Sequence, residues 1–310
     1  MAKILVTGAA GFIGSHTVDQ LLVAGHIVWG VDNFRTGCRE NLMKALRHKN
    51  FVLRELDVTE DRGFVEFVGE IRPDVIIHLA ALVSVPESVA NPALNDRLNF
   101  QATRIVAEAA RRYQVPRIVF ASSAAVYGDP SVCPSQEDAP KKPLSPYGSA
   151  KLASEELLLD YAAKYGLTAY CLRYFNVYGP RQDPRSSYSG VITIFLNHLR
   201  HDTAPVIYGD GEQTRDFISV HDVARANIIT ATHPNPTSGV VNICTGHATS
   251  VNALWHLLVS HHPKTSCPSY APPRPGDIGH SCGSAEAARR HLSFTAQTNL
   301  AAGLAELADF

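Results

Sequence analysis

A tyrosine and a lysine four residues apart, Tyr147 and Lys151, are the residues whose types and spacing most directly indicate chemistry. Four residues span about one helical turn, so both side chains lie on one face of a predicted helix. A phenol is a poor base near neutrality, because its pKa is about 10, but a neighbouring ammonium favours the phenolate. The pair therefore predicts a general base, and two further elements of the sequence support that prediction.

The first supporting element is a glycine-rich turn near the N-terminus. Residues 3–7 are typical of a buried parallel strand, and Gly8, Gly11 and Gly14 follow before a segment with apolar residues at helical spacing. Glycines let the backbone approach a pyrophosphate, and the N-terminus of the next helix presents free N–H groups to that anion. The sequence therefore predicts a dinucleotide-binding loop.

Asp32 indicates which dinucleotide binds, because it ends a second predicted strand at residues 27–31. A carboxylate at this distance from the glycine loop accepts hydrogen bonds from the adenosine ribose and repels a 2′-phosphate. We therefore expect NAD rather than NADP. Arg35 and Arg39 follow closely, and an arginine near this turn can bind a phosphate, so NADP stays open.

The second supporting element is the pair Ser122-Ser123, which follows a predicted strand at residues 117–120. Ligands bind at the carboxyl ends of the strands in open α/β sheets. The Ser123 hydroxyl is therefore expected beside Tyr147, where it can hydrogen-bond a substrate hydroxyl or keto oxygen. The competing interpretation is a serine pair that only caps a loop.

The order of these motifs resembles the extended short-chain dehydrogenase/reductases, specifically the nucleotide-sugar epimerases of the UDP-glucose 4-epimerase type. The resemblance runs from Lys3 to about Leu292. Besides the glycine loop it rests on these motifs: Asp57-Val58, His78-Leu79-Ala80-Ala81, Ser122-Ser123-Ala124, Tyr147-Gly148-Ser149-Ala150-Lys151, Arg173-Tyr174-Phe175-Asn176-Val177-Tyr178-Gly179-Pro180 and Arg215-Asp216-Phe217.

The resemblance implies an α/β fold, with a Rossmann-type doubly wound parallel sheet and a smaller C-terminal α/β substrate-binding lobe. We expect the NAD-binding domain at residues 1–178 and the lobe at residues 179–310, interleaved with the first domain. The strand–helix rhythm predicts further elements. These are strands at 51–54, 75–79 and 169–173, helices at 91–112 and 145–165, and a final helix from Thr295.

The implied reaction is reversible C4 epimerisation of a UDP-hexose, UDP-Glc/UDP-Gal and also UDP-GlcNAc/UDP-GalNAc, through a 4-keto sugar that rotates before reduction. Tyr147 is the expected base, Lys151 lowers its pKa and binds the nicotinamide ribose, and Ser123 orients the sugar hydroxyl. The expected NAD-binding residues are Gly8, Gly11, Phe12, Ile13, Gly14, Asp32, Asn33, Asp57, Val58, Leu79, Ala80, Ala81, Asn99, Ser122, Tyr147, Lys151 and Tyr174. The expected substrate-binding residues are Ser123, Asn176, Arg215, Arg274, Asp277 and Ser281.

Local features separate this reaction from related reactions within the family. Ala124 and Ala125 stand where nucleotide-sugar 4,6-dehydratases place an Asp-Glu pair, which argues against elimination of water. Asn176 stands where uronic-acid epimerases tend to have Thr, but Arg185 keeps a UDP-glucuronate 4-epimerase open. The small Ser281 leaves room for an N-acetyl group. A dehydratase, a 4-ketoreductase and a non-catalytic NAD-sensing protein of the same fold stay open as well.

Composition limits the function classes outside this family. A formal charge of −1 offers no electrostatic footprint for nucleic acid or an anionic membrane. Six scattered cysteines without a C-x-x-C pair favour reduced thiols in the cytoplasm over a disulfide framework or a zinc site. No apolar run reaches the roughly 18 residues that span a bilayer. We expect a cytoplasmic protein with no metal, and the resemblance implies a homodimer.

Overall fold

A computed structural model describes residues 1–183, 190–259, 267–273 and 277–308. Its strands are β1 Lys3–Thr7, β2 Ile27–Asp32, β3 Phe51–Glu55, β4 Val75–His78, β5 Arg117–Ser123, β6 Thr168–Tyr174, β7 Asn176–Tyr178, β8 Val206–Tyr208, β9 Thr214–Arg215, β10 Phe217–Ser219, β11 Gly239–Ile243, β12 Thr249–Ser250, β13 Ser269–Ala271 and β14 His280–Ser281. Its α-helices are α1 Phe12–Val23, α2 Asp61–Ile71, α3 Val85–Ala90, α4 Pro92–Asn95, α5 Ala102–Tyr113, α6 Pro146–Tyr165, α7 Val191–Arg200, α8 Val220–Thr232, α9 Val251–Val259, α10 Glu286–Leu292 and α11 Leu300–Ala308.

Seven strands form one parallel sheet in the order β11-β6-β5-β4-β1-β2-β3. The chain moves outward in one direction from β1 to β3 and then in the other direction from β4. The reversal between β1 and β4 opens a crevice at the carboxyl ends of these strands, where ligands bind in such sheets. The predicted doubly wound parallel sheet is confirmed.

Helices cover both faces of this sheet, so its strands are apolar on both sides. On one face α1 and α8 pack over the sheet, and Val18, Leu21 and Val223 are buried there. On the other face α2, α5 and α6 bury Phe64, Val106 and Leu158. These two apolar layers hold the carboxyl ends of the strands in fixed relative positions.

The chain after residue 178 contributes to both parts of the molecule. β11 pairs with β6 in the main sheet, and α8 packs against α1. α10 packs against β11 and α8 as well. The other elements form a lobe with the small sheets β10-β7, β12-β9-β14 and β13-β8. Its core includes an edge-to-face contact between Phe195 and Trp255, whose ring centroids are 5.1 Å apart. A division at residue 178 therefore separates strands and helices that share one core.

Two helices differ from their predicted form. The helix predicted at 91–112 contains a π-helical stretch, Asp96–Gln101, between α4 and α5. The final helix begins at Leu300 rather than Thr295, because the backbone N–H groups of Gln297 and Thr298 donate to Asp222 instead of entering a helix. Within the described residues, every helix is too short or too polar to cross a bilayer.

Candidate active site

The loop between β1 and α1 borders the crevice, and two of its glycine positions leave no room for a Cβ atom. Gly8 has a φ of +69°, and a Cβ there would lie 2.8 Å from the backbone nitrogen of Ala80. A Cβ at Gly14 would lie 2.0 Å from the Gly8 carbonyl oxygen. α1 begins at Phe12 without a side-chain cap, so its first N–H groups face the crevice with no capping oxygen before them. These features fit a dinucleotide pyrophosphate.

Asp32 ends β2 with its carboxylate fixed against the glycine loop. Its two oxygens accept hydrogen bonds from the backbone N–H groups of Ala10 and Phe34, both at 2.8 Å. Burial raises the pKa of Asp32, and these two hydrogen bonds oppose that rise. The nearby Arg35 guanidinium pairs with Glu87, so its charge is already compensated in this structure. The arrangement fits a ribose diol better than a 2′-phosphate.

Further predicted cofactor residues follow the ends of β2, β3 and β4, at the same edge of the sheet. Asn33 donates to Asp57 at 2.8 Å, which links the ends of β2 and β3. The backbone N–H groups of Leu79 and Ala80 donate to the Thr7 hydroxyl at 3.2 Å, which joins β4 to β1. The structure thus brings these segments to the mouth of the crevice.

Asn99 and Tyr174 have internal partners instead of facing the crevice freely. The Asn99 amide accepts from the Leu82 N–H and donates to the Leu82 carbonyl, both at 3.0 Å, and also donates to Asn95. The Tyr174 hydroxyl donates to Asn227 at 2.6 Å. Asn99 therefore fixes the loop after β4, and its predicted cofactor contact stays a prediction.

Ser123 and Tyr147 meet at the carboxyl end of β5. Ser123 is the last residue of β5, and its hydroxyl caps the following 3-10 turn by accepting from the Ala125 N–H at 3.1 Å. Tyr147 lies in the first turn of α6, whose N-cap Ser145 accepts from the Gly148 N–H. Burial raises the pKa of Tyr147, and a hydrogen bond with Ser123 lowers it. The two hydroxyls are therefore placed to act on one substrate oxygen.

Lys151 is buried one turn after Tyr147, and its side chain turns toward β5. Its ammonium donates to the Ala121 carbonyl at 2.8 Å and lies 4.8 Å from the centroid of the Phe120 ring. The distance to the Tyr147 ring centroid is 5.8 Å. Burial lowers the pKa of Lys151 to about 7, against the opposing charge of Glu155. The ammonium lies within electrostatic range of the phenol without a direct bond to it.

Three of the predicted substrate residues, Asn176, Arg215 and Ser281, lie on the small sheets outside the main sheet. Ser281 on β14 pairs in register with Arg215 on β9, and burial lowers the pKa of Arg215 while the charges of Asp277 and Asp129 raise it. Asn176 begins β7, and its N–H donates to the Asp216 carbonyl at 2.9 Å. Arg274, like Arg185, lies outside the described residues.

Comparison with known proteins assigns the family. A model of the NAD dependent epimerase/dehydratase family matches residues 4–244. This chain belongs to that family. It is 39% identical to the UDP-glucose 4-epimerase of Mycolicibacterium smegmatis over 99% of this chain and 98% of that one. The resemblance inferred from the sequence motifs is confirmed.

Two solved structures of epimerases are similar to this chain in their folds. The UDP-glucose 4-epimerase of Thermotoga maritima, bound to UDP-glucose, has a TM-score of 0.93 at 38% identity, covering 99% of this chain and 97% of that one. The UDP-N-acetylglucosamine 4-epimerase of Methanobrevibacter ruminantium M1, in complex with UDP-N-acetylmuramic acid, has a TM-score of 0.93 at 36% identity, with the same coverage. The NAD expected from the sequence fits this epimerase/dehydratase family and the glycine crevice.

Sequence reasoning missed a buried polar network that begins one helical turn after the predicted catalytic residue Lys151. Ser122, predicted to contact the cofactor, donates its hydroxyl to Glu155. Glu155 accepts two hydrogen bonds from Arg173, at 2.9 and 2.7 Å. Arg173 also donates to the Tyr127 hydroxyl at 2.8 Å. The available signal was a glutamate four residues after Lys151, on the same helix face.

Asp216 was noted in the sequence only as part of the motif Arg215-Asp216-Phe217, and the structure shows that it joins several segments of the lobe. Its carboxylate accepts from the Thr245 N–H at 2.8 Å, the Gly246 N–H at 2.9 Å and the Gly283 N–H at 3.3 Å. The carboxylate is fully buried. It therefore fixes Arg215, its neighbour in sequence, relative to the segment that carries Ser281.

Proposed function

We propose that this chain interconverts UDP-hexoses that differ in configuration at C4, UDP-Glc with UDP-Gal and UDP-GlcNAc with UDP-GalNAc. The observation that carries the proposal is the Ser123–Tyr147 hydroxyl pair, with Lys151 behind it, beside the glycine crevice of an NAD-dependent epimerase/dehydratase. The 4-epimerase relatives support the choice of reaction.

In the proposed reaction Tyr147 removes the proton of the C4 hydroxyl. Ser123 hydrogen-bonds the same sugar oxygen and keeps it within reach of the phenol. Lys151 supplies positive charge that favours the phenolate against the effect of burial. NAD, which the glycine loop and Asp32 would hold, would supply reversible hydride transfer at C4, so the net reaction would leave the cofactor unchanged. Tyr147 returns the proton to the oxygen after the sugar presents its other face.

The same site argues for epimerisation over loss of water. Ala124 and Ala125 follow Ser123 in a 3-10 turn, so methyl groups stand where an acid and a base would assist elimination. A dehydratase or a 4-ketoreductase would use the same tyrosine and lysine but release a different product. Product mass therefore separates the three reactions.

Substrate choice depends on the lobe. Arg215 is proposed to bind the diphosphate, since its guanidinium stays charged and donates paired hydrogen bonds, together with Arg274. Asp277 is proposed to accept from the uridine ribose. Ser281 pairs in register with Arg215. Its small side chain is proposed to leave space for an acetamido group. A relative that is a UDP-N-acetylglucosamine 4-epimerase supports this wider pocket.

The first experiment incubates the purified protein separately with UDP-Glc, UDP-GlcNAc and UDP-GlcA, followed by chromatography with mass detection. The proposal expects products of unchanged mass that co-elute with the galacto isomers of the first two sugars. Tyr147→Phe is the inactive control. A product lighter by one water would contradict the proposal, and so would turnover of UDP-GlcA alone.

The Ser281→Tyr variant tests the acetamido pocket. We expect turnover of UDP-GlcNAc to fall at least tenfold relative to UDP-Glc, because a bulky side chain would occupy the space for the acetyl group (about 1.4 kcal/mol in transition-state binding). His280→Tyr, at the adjacent exposed position, is the matched control. An unchanged ratio of the two activities would show that Ser281 does not border the pocket.

We also propose that the protein is a homodimer that associates through α5 and α6. The two helices meet at the surface, where the Arg111 guanidinium of α5 lies 5.4 Å from the ring centroid of Tyr165 on α6. Tyr165 is 52% exposed there, so an aromatic ring is available to a second copy. Light scattering should give about twice the chain mass of 33.7 kDa. A mass of one chain at micromolar concentration would contradict the dimer.

A further inference from the structure

A second concave site lies on the outer side of the helix layer that α1 and α8 form on the main sheet. Across the described residues it is a cavity of about 1000 Å³. Its walls come mainly from α1, α7, α8, α11 and the segment 179–182. Neither the glycine loop nor the catalytic candidates Ser123, Tyr147 and Lys151 contribute to these walls. The proposed epimerisation therefore gives this cavity no task.

Helical spacing determines which side chains reach the cavity. On α1, Asp19 and Val23 lie about one turn apart on the cavity side, whereas Val18 packs on the sheet. α8 presents Ile228 and Ile229 to the cavity. The outer face of a surface helix is normally polar, but Val23 is 80% exposed and the two isoleucines are half-buried. The two helices therefore leave an apolar strip partly uncovered.

The apolar part of the cavity wall is aliphatic. Its side chains are Val23, Ala24, Leu196, Ile228, Ile229 and Leu307. Within the described residues the lining contains no Phe, Tyr or Trp on which a flat ligand could stack. Small-molecule sites are mostly apolar cavities of about 300–1,000 Å³ with a few polar groups that fix the ligand. The size and the walls of this cavity therefore fit an aliphatic chain.

The lining also carries an excess of positive charge. Its cations are Lys44, Arg181, Arg200 and Arg225, and its carboxylates are Asp19 and Glu306. The lining therefore has a net charge of +2 with its imidazoles counted as neutral, in a chain whose formal charge is −1. A concave surface lined by one sign of charge attracts ligands of the opposite sign.

Two of these cations have acid partners and belong to the framework of the cavity. Arg181 pairs with Asp19, which joins the segment 179–182 to α1, at 2.7 Å. Arg225 pairs with Asp222 one turn earlier on α8, also at 2.7 Å. Their charges are compensated within the protein, so the excess lies on the other two cations.

Lys44 and Arg200 supply the uncompensated charge. Both side chains are exposed, and among the described residues neither forms an ion pair with an acid. The Arg200 guanidinium makes one long contact, 3.5 Å, to the Leu307 carbonyl. These two cations therefore stand beside the aliphatic wall with donors available to an anionic group.

We propose that this cavity binds a single-chain anionic amphiphile, an acyl or alkyl chain that ends in a carboxylate or a phosphate. The chain lies along the aliphatic wall between α1, α8 and α7. The head group pairs with Lys44 and Arg200, since a guanidinium donates paired hydrogen bonds to either anion. The site is separate from the proposed nucleotide-sugar site, so the inference goes beyond the proposed reaction.

The test is calorimetric titration of the full chain, with NAD present, using decanoate and decyl phosphate below their micelle concentrations. Burial of a methylene is worth about fourfold in Kd, so octanoate should bind about tenfold more weakly than decanoate. Decyltrimethylammonium, with the same chain and the opposite charge, should also bind at least about tenfold more weakly than decanoate. Equal affinity for octanoate or for decyltrimethylammonium would overturn the inference.

Two variants at exposed positions locate the ligand, and circular dichroism checks that each is folded. Lys44→Met combined with Arg200→Met removes the uncompensated charge and should weaken decanoate binding at least about tenfold. Its matched control is Lys49→Met combined with Arg62→Met, two exposed cations outside the lining, which should bind as wild type does.

Ala24→Trp tests the cavity without changing its charge. Ala24 is exposed at the end of α1, so an indole there would fill the cavity and should weaken decanoate binding at least about tenfold. Ala301→Trp, at an exposed position of α11 outside the lining, is its control. Wild-type affinity for decanoate in Ala24→Trp or in the Lys44 and Arg200 double variant would overturn the inference.

Two further arms exclude other sites and sources. Saturating UDP should not displace decanoate, and displacement would place the amphiphile in the nucleotide-sugar site and overturn the inference. Binding to phosphatidylglycerol vesicles alone, with none to the monomeric amphiphiles, would also overturn it. The titrations need no turnover, so failure of the sugar assay would leave the cavity proposal standing.

Discussion

The Tyr147 phenol lies in a setting that opposes its own ionisation, because burial raises its pKa, although the hydrogen bond with Ser123 offsets part of that rise. Replacing Tyr147 with Phe removes the proton-transfer group without changing the packing. General acid–base groups contribute about 100- to 10,000-fold, so we expect kcat to fall about 1,000-fold. Binding of NAD and UDP-sugar, measured by calorimetry, should stay within about twofold of wild type, because the variant keeps the buried ring.

Tyr165→Phe is the control for this variant, since Tyr165 lies at the exposed end of the same helix, α6. It should retain wild-type turnover. Turnover by Tyr147→Phe within about tenfold of wild type would exclude Tyr147 as the base.

The positions of single residues could be predicted where they depend only on the neighbouring sequence. The shared helix face of Tyr147 and Lys151 follows from the helix period, and the position of Ser123 at the end of a strand follows from the apolar run before it. The bond from Lys151 to the Ala121 carbonyl, and the pairing of Glu155 with Arg173, could not be predicted this way. Each joins α6 to a strand whose place in the sheet only the fold determines.

The glycine loop acts as an element rather than as separate residues, since Gly14 in α1 packs directly on the backbone of Gly8. In Gly14→Ala the added methyl would lie 2.0 Å from the Gly8 carbonyl oxygen, so the helix must move away from the loop. We expect NAD affinity to fall at least about tenfold and stability to fall by about 1–3 kcal/mol. Calorimetric titration and thermal unfolding measure both.

Gly239→Ala is the control, because nothing lies within 4 Å of a Cβ at that glycine of β11. It should leave NAD affinity unchanged. Wild-type NAD affinity in Gly14→Ala would mean that the pyrophosphate does not depend on this loop geometry.

The sequence predicted which segments form strands and helices, but it did not predict the irregular stretches or the exact ends of the helices. Strand–glycine–helix alternation identified the parallel sheet, because both faces of its strands are apolar. The π-helical stretch was not predictable, since Asn99 within it is held by Leu82 from a distant loop. The late start of α11 also depends on a contact between distant segments. The Asp222 carboxylate on α8 accepts hydrogen bonds from the N–H groups of Gln297 and Thr298, which precede α11.

For the whole molecule, two buried histidines make the free energy of unfolding depend on pH. Burial lowers the pKa of His16 to about 4 and that of His78 to about 3, both from 6.5. The unfolded chain therefore binds protons that the folded chain does not, and stability is lost as the pH falls through 6.5. Between about pH 7 and pH 5 each histidine should remove about 2 kcal/mol from the free energy of unfolding. The raised pKa of Asp32 acts in the opposite direction and offsets part of this loss.

Urea unfolding at about pH 7 and about pH 5 measures this dependence. His16→Gln keeps a donor for the Pro180 carbonyl, which His16 contacts at 2.9 Å, and should lose less stability between the two pH values than wild type. His291→Gln, at an exposed position on α10, is the control. An equal loss in wild type and His16→Gln would show that His16 is not the group that titrates.

We propose that residues 1–178 bind NAD and that the later chain binds the substrate, and we predict that these two parts of the chain do not unfold separately. A fragment of residues 1–178 lacks β11 and α8, which cover Val18 and Leu21 of α1 and complete the sheet. Exposing a large apolar side chain costs about 1.5–3 kcal/mol, and several such losses exceed the about 5–15 kcal/mol that stabilises a typical domain. The fragment should therefore show no cooperative unfolding transition by circular dichroism and no NAD binding, whereas the full chain should unfold in one transition. A fragment that binds NAD and unfolds cooperatively would mean that the first 178 residues form a complete core. In that case β11 would only extend a sheet that is already stable without it.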